Sequence, residues 1–128
     1  NDITTGIALL ITICAFAQND IQKRADNLFN NFAFFQAIGA YHELINEGFN
    51  TDYATRQLAD SYAYLRNPDS AVVYYKKAVK QNNVPIKYYY NYSQVLRGVK
   101  DYEASRLWMK QFKDAGGKMS LQHLTPQA

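Results

Sequence analysis

Few residues in this chain could do chemistry, and their spacing argues against most of it. There are two histidines, His42 and His123, and one cysteine, Cys14. A structural or catalytic zinc wants three or four ligands at short, regular spacings. Neither histidine has such neighbours, and His42 beside Glu43 reads as a solvated or groove-edge side chain. A nucleophilic triad wants an activated serine or cysteine with a base and a third group that orients it, and no such set assembles. Gly116-Gly117-Lys118-Met119-Ser120 lacks the upstream glycine and the preceding strand of a phosphate-binding loop. No pair of carboxylates stands out for acid–base work. The expectation is a chain that is not an enzyme, with no catalytic residue, no metal and no cofactor.

Charge and aromatic content narrow the classes further. Fourteen Lys and Arg against eleven Asp and Glu give a net charge of +3. Basic residues are never more than two in a row (Lys23-Arg24, Lys76-Lys77) and alternate with acidic ones, whereas nucleic-acid binding wants a basic stripe. Eleven tyrosines are present, five residues of one segment reading Tyr88-Tyr89-Tyr90-Asn91-Tyr92. Successive helical residues point about 100° apart, so this run is no single stacking platform. Tyr88 and Tyr92 share a face and are expected in the core, Tyr89 against a neighbouring helix, and Tyr90 towards the groove.

The elements that must position these side chains repeat every 34 residues. Ala25, Ala59 and Ser93 form one column at that spacing, and Ala37, Ala71 and Ser105 another. Leu28/Tyr62/Leu96, Phe34/Pro68/Tyr102, Tyr41/Tyr75/Met109 and Leu44/Ala78/Phe112 keep step. A period of this length belongs to stacked pairs of antiparallel helices. Small residues suit close helix crossings and large apolar ones the spaces between. The fold class expected is therefore all-α: three stacked helix-turn-helix repeats, six helices, an α-solenoid. The repeats span 18–51, 52–85 and 86–119, with 120–128 as a tail or the start of a linker. Apolar spacings of three and four put the helices at about Asp20–Asn31, Phe34–Glu47, Asp52–Leu65, Pro68–Gln81, Pro85–Arg97 and Asp101–Asp114. Asn67-Pro68 is a cap followed by proline at the first helical position. Gly48, Asn82 and Gly116, again 34 apart, are placed to end each second helix in the left-handed conformation. After Gly116-Gly117, either Met119–Leu124 folds back over the last helix or the native chain continues.

Residues 1–17 stand outside the repeats. Ile3 to Phe16 is an almost uncharged apolar run ending in Ala15-Phe16-Ala17, the small-x-small pattern of a signal-peptidase site. Its length is short for a membrane span of roughly 20 residues. An export signal is the leading expectation, with an uncleaved anchor and an ordinary core helix as the others. Asn1 opens the chain without a methionine or the usual basic segment, as though its start were missing. Cys14 follows Ile13 rather than a small residue, so it reads as apolar filler rather than a lipidation site.

Leu58-Ala59-Asp60-Ser61-Tyr62 with Asn67-Pro68-Asp69-Ser70-Ala71 and Tyr74-Tyr75-Lys76-Lys77-Ala78 resembles a tetratricopeptide repeat. Tyr92 to Leu96 with Lys100 to Ser105 and Trp108-Met109 resembles a second, departing from the motif by Ser105 in place of alanine. The first repeat is the most degenerate, with Phe32 where the turn usually has glycine, and all three lack the closing proline. More narrowly, Lys23 to Asp26, Ala37, Tyr41, Leu44, the tyrosine-rich helix and Trp108-Met109-Lys110 are similar to the N-terminal segment of Bacteroidota OmpA-family envelope proteins. The resemblance spans roughly residues 1–115. It implies a periplasmic, outer-membrane-associated protein, exported by its signal peptide, without a membrane span in the mature chain. It also implies a link to type IX secretion and gliding machinery. The chain lacks the downstream domains of that family, so no peptidoglycan-binding residue carries over.

Such a stack presents a concave groove lined by each first helix. The columns Gln22/Arg56/Tyr90, Asp26/Asp60/Gln94, Phe29/Ala63/Arg97 and Asn30/Tyr64/Gly98 lie on that face. Arg56, Asp60, Tyr64, Tyr90, Gln94 and Arg97 are the candidate partner-binding residues, with arginine suited to a bidentate carboxylate contact. Chaperone-binding relatives hold a terminal carboxylate with Lys and Asn, and Asp26 and Asp60 stand where Asn would be wanted, so a chaperone-tail clamp is not expected. The function expected is a non-catalytic protein-binding scaffold of the cell envelope, holding a peptide segment or an outer-membrane β-barrel component. The alternative is a periplasmic ligand- or glycan-binding module that uses exposed aromatics.

Overall fold

A computed structural model describes residues 2–119. They form six helices: α1 Asp2–Asn30, α2 Phe34–Asn46, α3 Thr51–Tyr64, α4 Pro68–Ala78, α5 Lys87–Gly98 and α6 Tyr102–Asp114. No strand occurs among the described residues. Each helix packs mainly on the one before and the one after it, as in a linear stack of hairpins. The all-α repeat architecture read from the 34-residue columns is thus the one observed.

The three turns inside the hairpins are copies of one another. Phe32, Arg66 and Lys100, 34 apart, all take positive φ (63°, 59° and 67°). The next residue's N–H reaches back five residues: Ala33 to Leu28 O, Asn67 to Tyr62 O and Asp101 to Leu96 O, at 2.9, 3.0 and 2.9 Å. This is the left-handed helix stop usually given to glycine, here built from a phenylalanine, an arginine and a lysine. The second helices then start on local caps. Asn67 accepts from Ser70 N and Asp101 Oδ1 from Ala104 N, both at 3.3 Å.

Packing is closest where the small columns lie. Ala25, Ala37, Ala59 and Ala71 are wholly buried. Ser93 and Ser105 exchange hydrogen bonds with each other's carbonyls, at 2.7 and 2.8 Å, so the third crossing hides two hydroxyls without leaving either unpaired. Two apolar clusters result. One gathers Ala25, Ala37, Tyr41, Leu44 and Leu58. The other gathers Ala59, Ala71, Tyr75, Val79, Val84, Tyr88, Tyr92 and Leu96.

Several boundaries differ from the sequence reading. The first helix begins not at Asp20 but at Asp2, running unbroken for 29 residues, because nothing between Ala15 and Lys23 is a proline or glycine that would stop it. Residues 2–17 are all exposed, and the helix is long and apolar enough to cross a membrane, with none of its apolar stretch buried. A signal segment passes the same measure. In the middle repeat, α4 stops at Ala78 rather than Gln81. Lys80 N and Gln81 N bond to carbonyls three residues back, Lys77 O and Ala78 O, a tightening common at helix ends that turns Val79 and Val84 into the core. The left-handed residue there is Asn83, not Asn82, while Gly48 and Gly116 take positive φ as expected. The helix expected from Pro85 starts at Lys87. The expected fold-back over 119–124 lies, beyond Met119, outside the described residues, as does His123.

Two substitutions test this packing. Gly39 sits in the middle of α2 with open space around an added Cβ, so Gly39→Ala stabilises the fold by about 0.5–1 kcal/mol. Ala59→Leu forces atoms into a filled crossing and costs about 1–3 kcal/mol. Chemical denaturation midpoints check both, and equal midpoints for the two variants would disprove the close-crossing account.

Candidate functional site

Two aspartates one repeat apart organise the interior. Asp26 Oδ1 on α1 accepts from Tyr41 OH on α2 at 2.5 Å and from Tyr53 OH on α3 at 2.7 Å. Gln57 Nε2 donates to Tyr41 OH at 3.1 Å. Asp60 on α3 repeats the pattern: Oδ1 accepts from Tyr75 OH on α4 at 2.5 Å, and Oδ2 from Tyr88 OH on α5 at 3.3 Å. Asn91 of α5 adds a further hydrogen bond to it. Each carboxylate therefore pins both helices of its own hairpin to the first helix of the next. Burial raises the Asp60 pKa, opposed by these donors and by the charge of Lys87. Burial, then the hydrogen bond to Asp26, pushes Tyr53 up to about 12, and Tyr41, Tyr75 and Tyr88 are raised further. Hydroxyls held neutral as donors to carboxylates are structural ties, poorly suited to giving up protons near neutral pH.

This places the six candidate residues in different roles. Arg56 lies between the rings of Tyr53 and Tyr88, 6.0 and 5.9 Å from their centres. Its Nη1 donates to Gln81 Oε1 at 2.9 Å, and Gln81 Nε2 donates to Asp52 O at 3.0 Å, so Arg56 ties the 79–86 loop down. Tyr90 is half-buried, its ring centre 5.4 Å from that of Phe112 on α6. Asp60, Tyr64 and Gln94 do come together. With Ala63, Arg66, Tyr75, Asn91 and Val95 they line an open cleft of about 320 Å³ between the second hairpin and α5. Tyr64 is 62% exposed yet held in place, stacked on Phe34 at 4.6 Å with Phe29 edge-on at 6.0 Å. Arg97 is exposed and lines the neighbouring cleft, which shares Gln94.

Arg66 and Asn91 are cleft residues absent from the sequence-derived set. The signal for Asn91 was its 34-residue spacing from Gln57, which marks a tie between repeats. Arg66 carried none, since turn residues lie outside the groove columns. His42 is half-buried beside Tyr74, 5.8 Å between ring centres; burial, then Lys77, lowers its pKa. Among the described residues, no three His, Cys, Asp or Glu are grouped to hold a metal ion. No protein-family model matches the chain, and no curated protein matches it.

Two measurements test the tyrosine–carboxylate ties. Asp60→Asn keeps an acceptor for Tyr75 and stays within about 1 kcal/mol of the parent at pH 7, whereas Asp60→Ala strands two hydroxyls and costs about 2–4 kcal/mol. The pH dependence has a definite sign. A tyrosine whose folded pKa is raised lends stability that is complete below its unfolded value of about 10. That stability drains away as pH rises towards about 12, the folded value of Tyr53. Denaturant titrations across that range are expected to show falling stability, with Tyr53→Phe flattening the slope; a flat parent profile would count against the ties.

Proposed function

We propose that this chain is a non-catalytic, protein-binding repeat module of the tetratricopeptide kind. In this reading it is exported behind residues 1–17 and forms the N-terminal part of an OmpA-family protein of the bacterial envelope. There it holds another protein near the outer membrane, in the setting of type IX secretion or gliding. The observation that carries the binding role is the cleft over Asp60. Its polar groups, Asn91, Gln94 and Arg66, and its aromatic wall, Tyr64, stand on elements fixed by buried ties. Asp60 at its base is already satisfied, so it contributes a shaped floor rather than a reactive group. A preordered aromatic next to arginine is the composition of interface hot spots, and such a cleft accepts an extended segment without a large ordering cost. The exposed apolar stretch of α1, continuous with the first repeat, supports export. The two resembling repeats and the 34-residue columns support the family.

The cleft is tested by pull-down from envelope extracts with the parent and with Tyr64→Ala/Arg66→Ala. These positions lie outside both carboxylate ties, so melting temperatures are expected to stay within a few degrees. Recovery of the bound protein should drop by at least about 30-fold, the equivalent of one strong hot spot. Undiminished recovery would remove the cleft from the binding role. Trp108 fluorescence that saturates with muropeptides, and not with protein, would favour the glycan-binding reading instead.

A further inference from the structure

The same face of every second helix carries the seat for the first helix of the next hairpin. On α2 that face runs through Phe34, Ile38 and Tyr41, and α3 meets it with Tyr64 stacked on Phe34 and with Tyr53 and Gln57 against Tyr41. On α4 it runs through Pro68, Val72 and Tyr75, and α5 meets it with Tyr88 against Tyr75 and Gly98 beside Pro68, while Tyr88 and Asn91 reach Asp60. Both internal seats have a carboxylate, Asp26 or Asp60, as their polar anchor, and the incoming helix supplies the donors.

Among the described residues no helix covers the third copy of this seat, and its charge is positive where the internal seats carry a carboxylate. Asp26 and Asp60 become Gln94, Phe29 and Ala63 become Arg97, Ile38 and Val72 become Arg106, and Tyr41 and Tyr75 become Met109, each 34 residues on. Gln94, Arg97, Tyr102, Arg106 and Met109 line one cleft of about 280 Å³ between α5 and α6. Tyr102 is 53% exposed there. Among the described residues the ion pairs are Arg24 with Glu43 and Lys110 with Asp114, and neither involves Arg97 or Arg106. Asp101, the cap of α6, and Glu103, one turn before Arg106, line a different cleft with Ala104 and Leu107. An apolar floor of Tyr102 and Met109 is therefore flanked by two cations where the internal seats offer an acceptor.

We infer that this terminal seat binds an amphipathic helix of a partner protein whose flanking side chains are acidic. A helix is the occupant because α3 and α5 fill the equivalent slots as helices. Acidic flanks are required because Arg97 and Arg106 would otherwise meet the donors that internal helices bring, and like polarity across an interface discriminates strongly against the wrong occupant. The seat thus selects against a further copy of this repeat's own first helix. The site adjoins the cleft over Asp60, sharing Gln94 with it, but its test reads Arg97 and Arg106, which do not line that cleft.

The test uses the full chain and two fluorescein-labelled helical peptides of 14 residues, the length of α3. They share one apolar stripe, flanked by Glu in one and Lys in the other, and binding is read by fluorescence anisotropy. The acidic peptide is expected to bind at least about 10-fold tighter. Arg97→Glu/Arg106→Glu should reverse that preference with the melting temperature little changed. Lys76→Glu/Lys80→Glu, an equal charge change in the last turn of α4 and just beyond its end, should leave it intact, which separates the seat from the chain's overall positive charge. Should the double variant fail to fold, Arg106→Gln alone must still narrow the preference. Equal binding of the two peptides, binding of neither, an unreversed preference, or tighter binding of anionic phosphatidylglycerol vesicles than of the acidic peptide would each overturn the proposal.

Discussion

The stack depends on how closely the two helices of each hairpin approach at its small-residue crossing. Ala25 with Ala37, Ala59 with Ala71 and Ser93 with Ser105 leave no accessible surface worth the name at those positions. Near-native packing density tolerates neither a void nor an extra methylene there. With the crossing fixed, the helix stop between the pair is fixed too. Phe32, Arg66 and Lys100 are driven into the left-handed region at an intrinsic cost of about 1–2 kcal/mol each, because the chain must reverse within a few residues. Burial along both helices offsets that cost, so glycine is not needed at any of the three turns.

A second constraint joins one hairpin to the next, and it explains where binding surfaces remain. Asp26 and Asp60 each draw in tyrosines from two neighbouring helices. With these donors spent on the interior, the polar side chains left beside Asp60 in its cleft are Arg66, Asn91 and Gln94. Arg56 is also used up, by Gln81 and two aromatic rings. That cleft therefore sets side-chain donors beside the exposed Tyr64.

Much of this was legible in the sequence because the period forces equivalent residues into equivalent environments. The columns of small residues located the crossings, and the apolar stripes located all six helices. What the columns could not convey is whether a polar residue points into the groove or into its neighbours. Asp60 and Arg56 occupy groove-facing columns, yet the side chains of the next repeat reach across and claim them. That reach depends on helix separation, which no spacing rule encodes. The early end of α4 was hidden for a related reason: Lys80 and Gln81 are good helix formers, and it is the tertiary bond from Gln81 to Asp52 O that ends the helix ahead of them.

The two kinds of tie also grade stability along the stack. In a linear array each hairpin is held by its own packing and by its interfaces with neighbours alone. The middle hairpin carries a carboxylate tie on both sides, through Asp26 and Asp60, and it is joined to the first by the short Gly48–Asn50 turn. The third hairpin has one such tie, whose bond from Tyr88 to Asp60 is the longer at 3.3 Å. It is joined through the long 79–86 connection, held by Gln81 and the two buried valines Val79 and Val84. Local opening follows the weakest interface, so the junction between α4 and α5 is where the stack yields first. The cleft over Asp60 lies across that junction, and its walls stand on opposite sides of it. A partner bridging Tyr64 and Gln94 would therefore stabilise the array as well as occupy it, coupling binding to the rigidity of the third hairpin and of the open seat beyond.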